Sequence, residues 1–137
     1  RVRLSHRIGA GELLVETVTM TVPADEEAAA KVLCEALSER GFLPPGLKLA
    51  RAVHLPEDRL LADVSLTPDF TCSGALEENQ VIACLAATLL NNLDTIESVR
   101  FIVDGVERET LCGHLDLLRS YSYEEVVEMM GPLGSTS

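Results

Sequence analysis

The sequence predicts an α+β domain, a single antiparallel or mixed sheet with two main helices packed on one face. Three observations predict it. Strand-like pairs and helix-like stretches alternate in the order pair, helix, pair, helix, pair. Turn chemistry at Gly9-Ala10-Gly11, Pro56-Glu57-Asp58-Arg59 and Asp104-Gly105 joins the members of each pair, so most strands should meet a sequence neighbour. The length of 137 residues suits one domain that can bury a core without staples.

Residues 2–22 read as two strands around the glycine turn. In Thr17-Val18-Thr19-Met20-Thr21-Val22 every second residue is apolar, the mark of a strand with one buried face. Pro23 ends that strand, and Asp25-Glu26-Glu27 opens a helix, with acids beside its positive end. Ala29, Val32, Leu33, Ala36 and Leu37 then form one apolar stripe until Gly41 stops the helix. Phe42 to Gly46 is a connector, because Pro44-Pro45 suits neither helix nor central strand. Leu47 to Leu55 and Leu60 to Leu66 make a hairpin, and a loop from Thr67 to Gly74 leads to a helix at about Ala75 to Leu93. That helix is apolar nearly all round, so it is expected to be covered on more than one side, within the chain rather than by a partner.

Ser98 to Val103 is the clearest central strand, and Asp104-Gly105 is the strongest short hairpin signal, with Val106 to Leu111 as the returning arm. Residues 113–117 read as irregular closing chain, and Ser122 to Glu128 as a short capped helix. Residues 131–137 read as a frayed end. The domain is placed at 1–120, and 121–137 as a C-terminal tail carrying that helix. Residues 24–66 and 75–111 share the order helix then hairpin, without a repeat at residue level.

Acidic residues outnumber basic ones 22 to 11, and a net charge of −11 repels phosphate backbones and anionic lipid heads. Nucleic acid is therefore not expected as a partner. No apolar run reaches the roughly 20 residues of a membrane span, the richest being Val81 to Leu90, and no signal-peptide pattern is visible. The chain opens at Arg1 rather than Met, so it reads as a processed or excised piece whose upstream segment has room for an export signal or anchor.

Four cysteines allow three fully paired connectivities. Cys34 and Cys84 sit among apolar helical neighbours and read as small core residues. Cys72 and Cys112 fall in loops and are better placed to react or to pair. No CxxC pair suggests a zinc ribbon or redox motif.

A search for chemistry assigns no catalytic, cofactor-binding or metal-binding residue. His6, His54 and His114 lack metal-ligand spacing and read as structural or exposed. Cys112-Gly113-His114 sets a thiol near an imidazole, but neighbouring loop residues rarely share the hydrogen bond a nucleophile needs. Ser65 and Ser73 lack a nucleophile elbow. The pairs Asp25-Glu26-Glu27, Glu57-Asp58, Glu77-Glu78 and Glu124-Glu125 open helices or occupy turns, none in an apolar setting suited to acid–base work. There is no calcium loop, and the short glycine turn is no phosphate cradle. The expectation is a protein that is not an enzyme and carries no cofactor.

Residues 99–105 (Val-Arg-Phe-Ile-Val-Asp-Gly), then Glu109-Thr110-Leu111 and Gly113-His114-Leu115-Asp116-Leu117, resemble the closing signature of the GerMN domain family, named after a sporulation and spore-germination lipoprotein. The connector 43–46, the strand 60–66 with Phe70 behind it, and the helix holding Thr88-Leu89 are similar in order. The resemblance spans about residues 15–120. Cys112 departs from it, standing where the family more often has alanine, which leaves a disulfide or a reactive thiol open.

The resemblance implies a fold similar to the ring-building domains of secretion and sporulation channels, and an extracytoplasmic domain attached to the cell envelope, without known catalysis. Association with protein partners, self-association among them, is the expected activity, with the membrane reached only through an upstream anchor. By the same resemblance, Gly105 serves a turn, Gly113 a bend and Asp104 accepts a local backbone hydrogen bond. The alternative is a module binding a small molecule or a peptidoglycan fragment. An enzyme using Cys112, His114 or the acidic clusters is a third reading.

Overall fold

The structure, a computed structural model, describes residues 2–7, 13–72 and 74–135. Strands β1 (Val2–Arg7) and β2 (Leu13–Val18) form an antiparallel pair, followed by helix α1 (Glu26–Glu39), strands β3 (Leu47–Leu55) and β4 (Arg59–Leu66), and helix α2 (Gly74–Asn92). Strand β5 (Ser98–Val103), strand β6 (Ser120–Ser122) and helix α3 (Tyr123–Ser135) complete the chain. The α+β class holds, and the helices lie against one face of a four-stranded mixed sheet in the order β3-β4-β5-β6. The β1–β2 hairpin forms a two-stranded sheet of its own rather than joining a single sheet. Its Gly9-Ala10-Gly11 turn lies outside the described residues.

Local chemistry explains the long elements. Asp25 caps α1 by accepting the Ala28 N–H (2.9 Å), and Glu26 and Glu27 fill its first turn. Its stripe buries Ala29, Leu33, Ala36 and Leu37 against β3, joined by Ala30 and Cys34. In β4 and β5 burial alternates, so Leu60, Ala62 and Val64 and then Val99, Phe101 and Val103 face the helices. Leu61, Asp63, Arg100 and Ile102 fall on the outer face. From Val81 to Leu89 every residue of α2 is buried. Helix α2 touches β5, α1, α3 and β1, so the chain itself covers it all round, as expected. Asn92 at its end holds the hairpin there: its carboxamide accepts the Arg3 N–H (2.8 Å) and donates to the Arg3 carbonyl (2.7 Å), as a strand partner would.

The third hairpin does not form. Val106 meets β5 in one isolated bridge, and residues 107–118 run without strand structure. Strand β5 instead pairs parallel with β4 and antiparallel with β6. Asp104 (φ 50°) and Gly105 (φ 79°) do make the tight turn the sequence announces. The turn is tied sideways: Asp104 N–H donates to the Val64 carbonyl (2.8 Å) and Gly105 N–H to Asp63 Oδ1 (2.9 Å). The Asp104 side chain is an acceptor, though not a local one, receiving the Leu66 N–H (3.2 Å).

Residues 121–135 are also not an appended tail. Tyr121 and Val126 are buried, β6 extends the sheet, and α3 lies on α2. A capping box starts α3, Ser122 Oγ accepting the Glu125 N–H and Glu125 Oε1 accepting the Ser122 N–H. The helix runs to Ser135, well past the short segment expected and into the stretch expected to fray.

Gly46 is one position where only glycine fits. Its φ is +88°, and a Cβ there would sit 2.6 Å from the Phe70 nitrogen and 2.8 Å from Thr67 Oγ1. Gly46→Ala should cost about 2–4 kcal/mol, from left-handed strain plus the clash. Gly41→Ala, at φ +75° with nothing within 4 Å of the new Cβ, should cost about 1 kcal/mol. Equal losses in urea unfolding would refute the close approach at Gly46.

Candidate functional site

Three features outside the core carry distinctive chemistry. The first is the segment 104–118, which has no ladder to hold it and is clamped from below. Glu78, on the first turns of α2, is fully buried. Its Oε2 accepts the N–H groups of Leu111 (3.0 Å) and Cys112 (2.8 Å), and its Oε1 that of His114 (2.9 Å). The sequence puts Glu77-Glu78 at a helix start outside any apolar setting, but Glu78 lies in the interior. The helix places Glu78 toward the interior, and the three N–H groups satisfy a carboxylate that could not otherwise be buried.

A disulfide joins Cys72, just before α2, to Cys112 on the same segment, with Cα atoms 6.0 Å apart. This settles the choice between pairing and reactivity for these two residues, and the Cys112 sulfur is no longer available as the nucleophile considered beside His114. Leu111 and Leu117 anchor the segment in the core. Thr110 Oγ1 accepts the Gly113 N–H (3.0 Å) at the bend, where Gly113 has φ +108°. The Leu117 N–H closes the loop on the Glu109 carbonyl (2.8 Å). The family-like motif therefore works as a loop fastener, presenting Val106, Glu107, His114 and Leu118 outward.

The second feature surrounds His54. Its Nδ1 lies 3.0 Å from Glu26 Oε1 and its Nε2 lies 3.1 Å from Asp58 Oδ1, while Thr95 Oγ1 donates to Glu26. Glu57 (φ 67°) and Asp58 (φ 53°) form the β3–β4 turn that brings the second carboxylate round. Both ring nitrogens face acceptor-only oxygens, so both contacts are hydrogen bonds only in the imidazolium. Asp58 and then Glu26 raise the His54 pKa above its ordinary value. Because the folded value is raised, this contribution is complete below the unfolded value, about 6.5, and is lost as pH rises through the folded one. An NMR titration of the His54 ring should give a midpoint above that of the urea-unfolded chain. Glu26→Gln/Asp58→Asn should lower it, and an unshifted midpoint would refute the clasp. His6 falls in β1, and its side chain lies outside the described residues.

The third feature is a groove of about 690 Å³ between α1 and the first half of β3, under the connector. Leu43, Leu47 and Leu49 form its floor, with Lys31, Glu35, Glu39 and Lys48 at its rim. Cys34 borders it, but burial and then the Glu35 carboxylate push its thiol up to about 12, leaving it protonated and inert at neutral pH. Cys34 and Cys84 are both buried core residues, as expected. No group of three or more His, Cys, Asp or Glu residues suited to a metal ion occurs among the described residues. Nor is any helix among them long and apolar enough to cross a membrane.

The family model "Germane: Sporulation and spore germination" matches residues 9–109. No curated protein matches the chain. Among solved structures, the tandem GerMN domains of the sporulation protein GerM from Bacillus subtilis superpose with a TM-score of 0.69 at 19% identity, covering 91% of this chain and 46% of that one. This chain therefore spans about half of that tandem structure. A candidate lipoprotein from Clostridium perfringens superposes at 0.54 with 15% identity, covering 90% of this chain and 86% of that one. The fold is that of the GerMN domain, a ring-building-motif fold. With residues 9–109, most of its length, matched by the model, the chain belongs to the sporulation and spore germination (GerMN) family.

Proposed function

We propose that the chain is a non-catalytic domain of the cell envelope, acting outside the cytoplasm by association with protein partners. The Cys72–Cys112 disulfide carries the reading, because such bonds persist in oxidising compartments and are rare in the cytosol. Membership in a sporulation and germination family, and a structural relative described as a candidate lipoprotein, support the location. The outer face of the four-stranded sheet supports association. Val53 and Val106 stand exposed beside the half-exposed Leu61 and Ile102, with Arg100 bound to Glu107 across them.

Location is tested by trapping thiols in intact source cells with a membrane-permeant maleimide before any reduction. Cys72 and Cys112 should resist labelling until a reductant is added. Free thiols at both positions would overturn the envelope reading. Association is tested by Val53→Asp/Val106→Asp, which should abolish the cellular phenotype of the full-length protein while leaving the melting temperature of the purified chain unchanged. A variant that folds and functions normally would remove the outer face from the reading.

The groove beside α1 favours a second reading, a module for a small ligand or peptidoglycan fragment, since its volume falls within the usual range for ligand sites. Among the described residues no aromatic ring lines it, so a peptide moiety fits better than a sugar.

A further inference from the structure

From the groove between α1 and β3 we infer a docking site for an extended segment of a partner protein, added to the sheet beside β3 and carrying an acidic and a basic side chain four residues apart. The inference rests on the association reading above and names a site and a partner chemistry for it.

Strand β3 is an edge of the four-stranded sheet, and an edge strand offers unpaired backbone groups to another chain. One donor of this edge is capped. The Ala52 N–H points away from β4 and donates to Glu27 Oε2 (2.9 Å), which also meets Arg51 (3.5 Å). That hydrogen bond, the foremost cause, holds Glu27 below the usual carboxylate range, so the cap stays charged. The register shifts between Leu49 and Arg51, where a bulge sets Ala50 out of step. Counting back from Ala52 across that bulge, alternation turns the backbone groups of Leu49 and Leu47 toward the same open edge. Among the described residues no side chain caps them. The open stretch, 47–49, is the stretch that borders the groove.

The rim states what a partner must carry. The chain has two lysines, Lys31 and Lys48, and both line this groove in a protein of net charge −11. By contrast Arg40, Arg51, Arg59, Arg100 and Arg119 are each paired with a carboxylate. Among the described residues neither lysine lies within 4 Å of a carboxylate, though the Lys31 charge also acts on Glu27 one turn earlier, and Glu35 and Glu39 on the same rim meet no cation at that distance. Along α1, Lys31 and Glu39 are eight residues apart, about 12 Å of helix. A strand advances about 3.3 Å per residue, so a partner side chain near Lys31 and one near Glu39 are about four residues apart on the same face. Between them a third side chain of that face meets the floor of Leu43, Leu47 and Leu49. Backbone pairing with an edge strand supplies the affinity in this mode, and alternate side chains supply the specificity.

The test uses the whole 137-residue chain, labelled with nitrogen-15, and two blocked heptapeptides. One is acetyl-Thr-Glu-Thr-Val-Thr-Lys-Thr-amide, and the other has Glu and Lys exchanged. One probe, according to strand direction, should give saturable amide shifts confined to residues 31–39 and 43–49. Lys31→Glu/Lys48→Glu should weaken that probe by about tenfold, the attraction of its glutamate to Lys31 being lost and replaced by repulsion. Adding Glu35→Lys/Glu39→Lys should reverse the preference to the other probe. Ser38→Phe, which fills the groove from an exposed position without adding charge, provides a second, charge-independent block.

Silence from both probes at millimolar concentration would overturn the inference, as would shifts on the outer face around Val53 and Val106. Saturable binding of a free peptidoglycan stem peptide at the groove, with both heptapeptides silent, would overturn it in favour of a small ligand. The association reading stands or falls separately, since Val53→Asp/Val106→Asp leaves the groove untouched.

Discussion

Glu78→Ala is expected to lower stability by roughly 3–5 kcal/mol. The loss has two parts. The Leu111, Cys112 and His114 N–H groups lose their shared acceptor, and each such group costs about 1–3 kcal/mol when it stays buried, less where water reaches it. The fully buried side chain also leaves a void. Glu78→Gln keeps the volume but turns an amide N–H₂ toward at least one backbone donor, so an intermediate loss of about 2 kcal/mol is expected. Urea unfolding measures both. Hydrogen exchange at residues 111, 112 and 114 should accelerate more than at residues 99–103. A loss under about 1 kcal/mol with unchanged exchange would show that Glu78 does not hold the segment.

Removing the disulfide comes next. Cys72 and Cys112 are 40 residues apart, and closing a loop of that length restricts the unfolded chain by about 4 kcal/mol in the chain-entropy estimate. Cys72→Ser/Cys112→Ser should lower stability by about that amount, or less if the unfolded chain keeps structure. The two clamps hold the same residue, since Glu78 binds the Cys112 N–H and Cys72 binds its sulfur. Their effects should not add. In the disulfide-free background Glu78→Ala should cost less, by on the order of 1 kcal/mol, because a segment already loosened loses less when its second anchor goes. Strict additivity would mean that the anchors act on separate parts of the loop.

Much of the architecture was legible because it is written in neighbouring residues. The stripe of α1, its Asp25 cap, the 47–66 hairpin and the strand 98–103 each follow from periodicity and turn chemistry within a few positions. The sideways ties of Asp104-Gly105 show where that reading stops. The dipeptide makes its turn, yet Val106 leaves the sheet after one bridge, because β4 and β6 already occupy both sides of β5. A competing strand 15 or more residues further along is invisible to a local signal. The same holds for Glu78, which looks like an ordinary first-turn acid until its three donors, 33 to 36 residues away, arrive. The His54 clasp was equally hidden, its carboxylates coming from α1 and from the turn. The groove had a faint signal in Pro44-Pro45-Gly46 before an edge strand, but nothing in the sequence marks which strand is an edge.

By itself the sequence determined the class of fold, the positions of the long elements, the all-round burial of α2 and the family resemblance. These depend on side-chain period and backbone preference, which act over one or two turns of chain. The tertiary structure alone decided the parallel β4–β5 pairing, the separate β1–β2 sheet, the disulfide partner of Cys72, the burial of Glu78 and the open edge at 47–49. Each of those depends on which distant groups meet, and that is set by the packing of the whole domain rather than by any local stretch.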